Sequence, residues 1–109
     1  MIQTREDALR LVREFRRGLD AIYGSRLKGV YLYGSFARAE ADEDSDVDVA
    51  VVLQGPVNPR LEGKRTIELV SNLSLRENCL LIPFFLSEEE HRKTPYAVHR
   101  SIVREGVPV

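Results

Sequence analysis

Two aspartates separated by one residue are the side chains of this sequence best suited to bind a metal ion. Asp46 and Asp48 stand at the start of an apolar run, 46–53, that predicts a buried strand. Because side chains alternate along a strand, the two carboxylates are expected to point to the same face. Neighbouring carboxylates repel each other unless a cation lies between them. Mg²⁺ is the natural cation, because one or two carboxylates, water and substrate phosphates complete its shell.

A Gly-Ser pair that precedes the aspartates is suited to bind phosphate. Residues 28–33 are rich in β-branched and aromatic side chains and predict a strand, whereas 36–41 contains good helix formers. Gly34 and Ser35 form the hinge between them, where glycine permits a tight turn and serine can cap the helix. Free N–H groups at a helix N-terminus attract phosphate. Arg38, one turn further on, is a second candidate for a phosphate contact, with a plain surface arginine as the alternative.

The spacing of these groups resembles a known family. Gly34-Ser35, ten residues, then Asp46-Val47-Asp48 resembles the GS-x10-DxD signature of polymerase-β-like nucleotidyltransferases, and the chain is similar to their minimal members. The resemblance implies an α/β (α+β) fold with a small mixed sheet flanked by helices. It implies that Ser35 holds a nucleoside triphosphate, expected to be ATP, and that both aspartates bind catalytic Mg²⁺. Many members have glycine where this chain has Ala39, and alanine is expected to be tolerated there if the residue is helical.

Nucleotidyl transfer also needs a group that takes the proton of the acceptor hydroxyl. In the family a third acidic residue on a neighbouring strand often does this, but the corresponding run, 79–86, contains no acid. The nearest acids are Glu77 before the run and Glu88 after it. Glu77 is the candidate base, and a solvated glutamate at a helix end is the alternative. Binding of metal and nucleotide is therefore better supported than turnover.

Two functions from different classes follow from the resemblance. The first is an enzyme that binds Mg²⁺-ATP and transfers a nucleotidyl group to a hydroxyl, as an antitoxin whose acceptor lies on a HEPN-type helical partner. The second is a binding module of the same fold that neutralises or scaffolds a partner by contact. An antibiotic-modifying transferase is disfavoured because such enzymes usually carry an additional domain. The nucleotide, the acceptor and the oligomeric state, a homo-oligomer included, are left open.

Composition bounds the class of protein. The 109 residues carry a formal net charge of -1, which argues against a general nucleic-acid binder. The lone Cys79 excludes an internal disulfide and fits a reducing cytoplasm. No apolar run approaches the ~20 residues of a membrane span. We expect a single nucleotidyltransferase domain, 1–109, in the cytoplasm and without a membrane anchor.

The remaining pattern predicts the elements around the site. A first helix is expected between a Thr4 cap and Gly24. Its buried stripe comprises Ala8, Leu11, Val12, Phe15, Leu19 and Ile22. A second helix, about 61–75, is expected to bury Ile67, Val70 and Leu73. Pro83 predicts an edge position for the third strand.

Two polar groups are predicted to be solvent-exposed. The acidic loop Asp42-Glu43-Asp44 is expected to be solvated. His91 and His99 are expected at the surface, and zinc binding is disfavoured because no cysteine or third histidine is near them.

Overall fold

The chain forms an α+β domain, which confirms the predicted fold class. The computed structural model describes residues 1–42 and 44–109, so Glu43 of the predicted acidic loop lies outside the described residues. Within that part, the elements in chain order are α1 Arg5–Tyr23, β1 Leu27–Tyr33, β2 Val47–Leu53, α2 Pro59–Glu77, β3 Leu81–Ser87, α3 Glu88–Lys93, α4 Ala97–Glu105 and β4 Val107–Pro108. A short 3₁₀ turn, Gly24–Arg26, joins α1 to β1. Over the described residues, no helix is both long and apolar enough to cross a membrane.

Helix α1 begins and ends where the sequence predicts. The Thr4 hydroxyl accepts a hydrogen bond from the N–H of Asp7, and the Asp7 carboxylate accepts one from the N–H of Thr4. This reciprocal cap satisfies N–H groups that have no partner inside the helix. The predicted stripe is buried from Ala8 to Leu19, but Ile22 in the last turn is 41% exposed. Helix α1 therefore supplies one apolar face to the core.

The sheet is mixed, with strand order β3-β2-β1-β4. Strand β1 runs antiparallel to both β2 and β4, while β2 and β3 are parallel. Asp48 is paired with Tyr33 on one side and with Ile82 on the other. Paired residues point to the same face, so these three side chains form one row across the sheet.

The two faces of the sheet are covered differently. Val47, Val49 and Val51 belong to the main core, together with the buried stripe of α1 and Leu73 of α2. On the opposite face a second cluster packs against Ile102 of α4; it consists of Ala50, Val52, Leu86, Tyr31, Tyr33 and Phe84. Because side chains alternate, Asp48 lies on this second face.

The buried face of α2 differs from the prediction. Ile67 is 59% exposed, whereas Glu62 and Thr66 are almost fully buried. Glu62 accepts hydrogen bonds from the Tyr23 hydroxyl at 2.9 Å and from Nη1 of Arg26 at 3.3 Å. Sequence rules assign a glutamate to the solvent side because an unpaired buried charge is costly. Here two partners come from distant positions, and Arg65 on the same helix adds a third contact at 3.2 Å.

Strand β3 lies at an edge of the sheet, as Pro83 predicts. Proline has no N–H to donate to a neighbouring strand. Two residues earlier, the N–H of Leu81 donates to the Ser74 hydroxyl at 3.1 Å rather than to a strand. Both features fall on the outer side of β3.

The prediction that both histidines are surface residues is wrong for His99. Its side chain is buried, with its ring 5.8 Å from that of Phe84. Nδ1 of His99 accepts a hydrogen bond from the N–H of Tyr96 at 3.4 Å. His91 is partly buried and stacks on Tyr31 at 5.0 Å. Both histidines therefore take part in packing on the face covered by α3 and α4.

Candidate nucleotide site

The segment after Ser35 forms a tight turn rather than the predicted helix. The N–H of Arg38 donates to the carbonyl of Gly34 at 3.2 Å, and the N–H of Glu40 donates to the carbonyl of Ser35 at 2.9 Å. Gly34 has a φ of 78° and Ala39 a φ of 58°, so the chain enters and leaves the turn in the left-handed region. A left-handed residue ends helical propagation. Ala39 is therefore not helical. Alanine was expected to be tolerated at this position only in a helix, so that expectation does not apply.

The turn nevertheless offers free N–H groups, the feature for which a helix N-terminus was expected at this position. Within the described residues, the N–H groups of Ser35, Phe36 and Ala37 donate to no backbone or side-chain acceptor. Successive N–H groups in such a turn form a concave site for an anion. The Ser35 side chain also has no hydrogen-bond partner in the described part of the chain and is half-buried. These groups are available to a phosphate.

Asp48 packs directly against the turn. Its side chain is half-buried, while Asp46 is exposed immediately before β2. A β-carbon built on Gly34 would overlap Oδ2 of Asp48 and lie 3.2 Å from its Cγ. Glycine is therefore required here both for its positive φ and for the approach of the carboxylate. The turn that begins at Gly34, which we call the phosphate turn, is thus in contact with Asp48, the second carboxylate of the pair.

The electrostatics of the aspartate pair suit a cation. Burial raises the pKa of Asp48, the charge of Asp46 raises it further, and the nearby Arg38 guanidinium partly offsets both effects. Among the described residues, no group of three acidic, histidine or cysteine side chains could hold a metal ion. The pair alone remains, which fits Mg²⁺ because this ion is commonly held by one or two carboxylates together with water and substrate phosphates.

Arg38 extends from the turn and is held by two acids. Its Nε donates to Oε2 of Glu40 at 3.0 Å, and its Nη1 contacts both carboxylate oxygens of Glu105 at 3.1 and 3.0 Å. The charges of Arg38 and Glu105 both influence the pKa of Asp48, so the two groups lie near the aspartate pair. Glu105 was not anticipated from the sequence, where its only signal is a position at a helix end before Gly106.

Tyr33 is a second residue of the site that the sequence did not single out. It is paired with Asp48 across the strands. Burial, helped by the charges of Asp48 and Glu105, raises the pKa of Tyr33 to about 12. The phenol therefore keeps its proton at neutral pH. Alternation along β1 already indicated that Tyr33 shares a face with Tyr31, but not which residue would lie opposite it.

The position opposite Asp48 on β3 is occupied by an apolar residue. Ile82 is paired with Asp48 and is 40% exposed. The side chain at this register position borders Asp48, and isoleucine can neither bind a cation nor accept a proton. The acid-free run 79–86 therefore places an apolar side chain next to the aspartate pair.

Glu77, the candidate base, lies at the C-terminus of α2. Its Oε1 is 3.2 Å from the N-terminal amine of Met1, and its Oε2 is 3.0 Å from Nε of Arg76. The hydrogen bond from the amine is the main reason that the pKa of Glu77 is lowered. Glu77 and Asp46 both lie close enough to Cys79 for their charges to raise the pKa of its thiol. Among the described residues, however, no contact joins Glu77 to Asp48. Its role as a base stays a prediction.

The fold and the site together define a class of protein. A mixed sheet carries a Gly-Ser turn at the end of one strand and two aspartates at the head of the next, as in nucleotide-transferring domains. The family profile of the nucleotidyltransferase domain matches residues 12–105. The chain belongs to that family, and the resemblance found in the sequence is confirmed.

Two relatives from Methanocaldococcus jannaschii support the same assignment. MJ0141, a proposed protein adenylyltransferase, is 33% identical over 78 residues, which cover 71% of this chain and 77% of the relative. MJ0604, also a proposed protein adenylyltransferase, is 31% identical over 96 residues, covering 87% and 90% of the two chains.

Solved structures agree with the fold. The structure of a proposed minimal nucleotidyltransferase has a TM-score of 0.59 and 26% identity, and the match covers 98% of this chain and 97% of the other. A toxin-antitoxin crystal structure with AMP-PNP has a TM-score of 0.58 and 18% identity, over 87% of this chain and 69% of that one. At that identity the second similarity concerns the fold alone.

Proposed function

We propose that this protein binds Mg²⁺-ATP and transfers a nucleotidyl group to a hydroxyl on a separate protein. The observation that carries the proposal is the contact between Asp48 and Gly34, which joins a carboxylate pair to a turn with free N–H groups. The triphosphate would lie along the turn, with the Ser35 hydroxyl and Arg38 as further contacts. Asp46 and Asp48 would hold Mg²⁺, which would neutralise charge on the phosphates.

In the proposed reaction the acceptor oxygen bonds to the α-phosphorus, and the bond from that phosphorus to the bridging oxygen breaks. Pyrophosphate leaves, and the hydroxyl proton must pass to a base. Glu77 is the candidate within this chain, although its ion pairs with Met1 and Arg76 lower its affinity for a proton. A base supplied by the acceptor protein would serve the same purpose. We therefore expect transfer to be slow without that protein.

The acceptor is proposed to be a HEPN-type helical protein, with this chain as its antitoxin in the cytoplasm. Two findings support a protein acceptor and a toxin-antitoxin role. The relatives MJ0141 and MJ0604 are proposed to adenylylate proteins. The similar fold in the toxin-antitoxin structure was solved with AMP-PNP, an ATP analogue.

A binding module without turnover is the second candidate, and Ile82 favours it. This residue is paired with Asp48 on β3, the strand that contains no acid, and it offers no group that could accept a proton. A chain that retained nucleotide binding and lost the proton acceptor would still neutralise its partner by contact.

Calorimetry tests the nucleotide site. The parent chain is expected to bind ATP only with Mg²⁺, and an Asp46→Asn/Asp48→Asn double variant is expected to lose this binding. Glu89→Gln is a matched control, because Glu89 is an exposed, ion-paired glutamate on α3. Equal affinity of a folded double variant and the parent would refute the assignment.

Labelled ATP and intact-mass measurement separate the two functions. The chain is incubated with Mg²⁺ and labelled ATP, alone and with a HEPN-type protein encoded beside it. An adduct on the second protein supports the enzyme, and a stable complex without an adduct supports the binding module. Rapid labelling by the isolated Glu77→Gln variant would contradict the expected need for an outside base.

A further inference from the structure

The last helix of the chain reaches the nucleotide site through Glu105. This residue ends α4, and Val107 two residues later is paired with Leu32 of β1. Glu105 contacts Arg38, three residues after Ser35 in the turn that follows β1. The Glu105 side chain is only 17% exposed. A mostly buried carboxylate thus lies at the border of the phosphate turn.

Glu105 fixes the end of the Arg38 side chain. Both of its oxygens accept from Nη1 of Arg38, at 3.1 and 3.0 Å. Glu40 binds Nε of the same guanidinium, but its side chain is 65% exposed and only two residues away. Glu105 is 67 residues from Arg38 in sequence and belongs to a packed helix. Of the two acids, Glu105 is therefore the one that ties the guanidinium to the rigid part of the fold.

We propose that Glu105 is a positioning residue that holds the Arg38 guanidinium at the phosphate side of the site. The inference rests on the proposed function, since it requires Mg²⁺-ATP to bind at the turn. An arginine that is already ordered loses less rotamer freedom when it binds a phosphate. Without Glu105, the exposed Glu40 would be the one remaining ion-pair partner of Arg38 among the described residues, and Arg38 would spend more time in solvent.

Glu105 also has an effect that opposes nucleotide binding. Whether its removal weakens or strengthens ATP binding therefore distinguishes the two effects. A carboxylate near the site repels the triphosphate, and its ion pair competes with phosphate for the guanidinium. If Glu105 withheld Arg38, its removal would strengthen nucleotide binding. The contact geometry instead favours positioning, because Glu105 engages only Nη1 of Arg38, and Nη2 has no partner among the described residues.

A double-mutant cycle with Mg²⁺-ATP as the probe tests the proposal. Glu105→Gln is expected to weaken ATP binding about threefold to tenfold, and Arg38→Ala by at least as much. In the Arg38→Ala background, Glu105→Gln is expected to cause no further loss of affinity. Glu89→Gln, which removes an exposed ion pair with Lys93, serves as the matched control.

Thermal unfolding of the four proteins completes the cycle. A purely structural role of Glu105 would lower stability and ATP affinity equally in both backgrounds, and that additive result would overturn the proposal. Tighter ATP binding by Glu105→Gln, or affinity equal to that of the parent, would also overturn it. A folded parent that fails to bind Mg²⁺-ATP would refute the proposed function itself, which distinguishes the two failures.

Discussion

Replacing Gly34 with alanine is expected to damage the contact between the turn and the carboxylate pair. Gly34 has a φ of 78°, and a β-carbon would overlap Oδ2 of Asp48. A non-glycine residue in this region costs roughly 1–2 kcal/mol. About 0.4–1 kcal/mol of that is offset because alanine restricts the unfolded chain. Relief of the overlap by an off-rotamer Asp48 adds about 0.5–1.5 kcal/mol. The total expected loss of stability is therefore about 0.5–3 kcal/mol.

The larger effect of Gly34→Ala is expected in binding. A carboxylate turned away from the site loses a charge-assisted interaction of about 1.5–3 kcal/mol. Since about 1.4 kcal/mol corresponds to a factor of ten, Mg²⁺-ATP affinity should fall about tenfold to a hundredfold. Urea unfolding without Mg²⁺ measures the stability, and calorimetry with Mg²⁺-ATP measures the affinity.

Gly55 offers a matched control for this substitution. Its φ is 80°, and a β-carbon built there meets no atom within 4 Å. Gly55→Ala should therefore lose about 1 kcal/mol of stability through the backbone alone and keep the parent affinity. If Gly34→Ala matched Gly55→Ala in both measurements, the reasoning about the Asp48 contact would be refuted.

Three further substitutions test the same site. Ser35→Ala should weaken Mg²⁺-ATP binding by about 1 kcal/mol or more without lowering the melting temperature; unchanged affinity in calorimetry would exclude the hydroxyl as a phosphate contact. Ala39→Gly should stabilise the chain to urea by up to about 1 kcal/mol because φ is 58°, and a clear loss would contradict this backbone. The raised pKa of Asp48 means that its ionisation lowers stability as pH rises from 3.8 through the folded pKa. Without metal, Asp48→Asn should gain stability over the parent across that window; a gain that shrinks with rising pH in urea titrations would contradict the shift.

Local patterns predicted the scaffold because they depend on neighbouring residues. The Thr4 cap, the three long strands and the edge position of β3 follow from capping, β-branched runs and Pro83. The helix after Ser35 was predicted wrongly for the same reason. Residues 36–41 are good helix formers, but the left-handed Ala39 ends the turn so that the chain can return to β2. Tertiary structure overrides helix propensity in so short a segment.

Contacts between distant residues could not be predicted from the sequence. The buried Glu62 is bound by Tyr23 and Arg26 as well as by Arg65, and neither of the first two lies on its helix. Glu105 reaches Arg38 only because α4 leads into β4 beside β1. The aspartates and the Gly-Ser pair were identified because they belong to one short motif with a characteristic spacing. No comparable motif links Glu105 to them.

The outer side of β3 limits how another protein can attach to this sheet. Adding a strand requires a row of N–H and C=O groups, and an exposed edge of this kind is a common starting point for fibrils. On β3 the donor at position 83 is missing because that residue is proline, and the donor of Leu81 is already bound to Ser74. The sheet is therefore protected against growth from this edge. A partner that approaches β3 has to be recognised through side chains, which favours a helix or a loop over a strand.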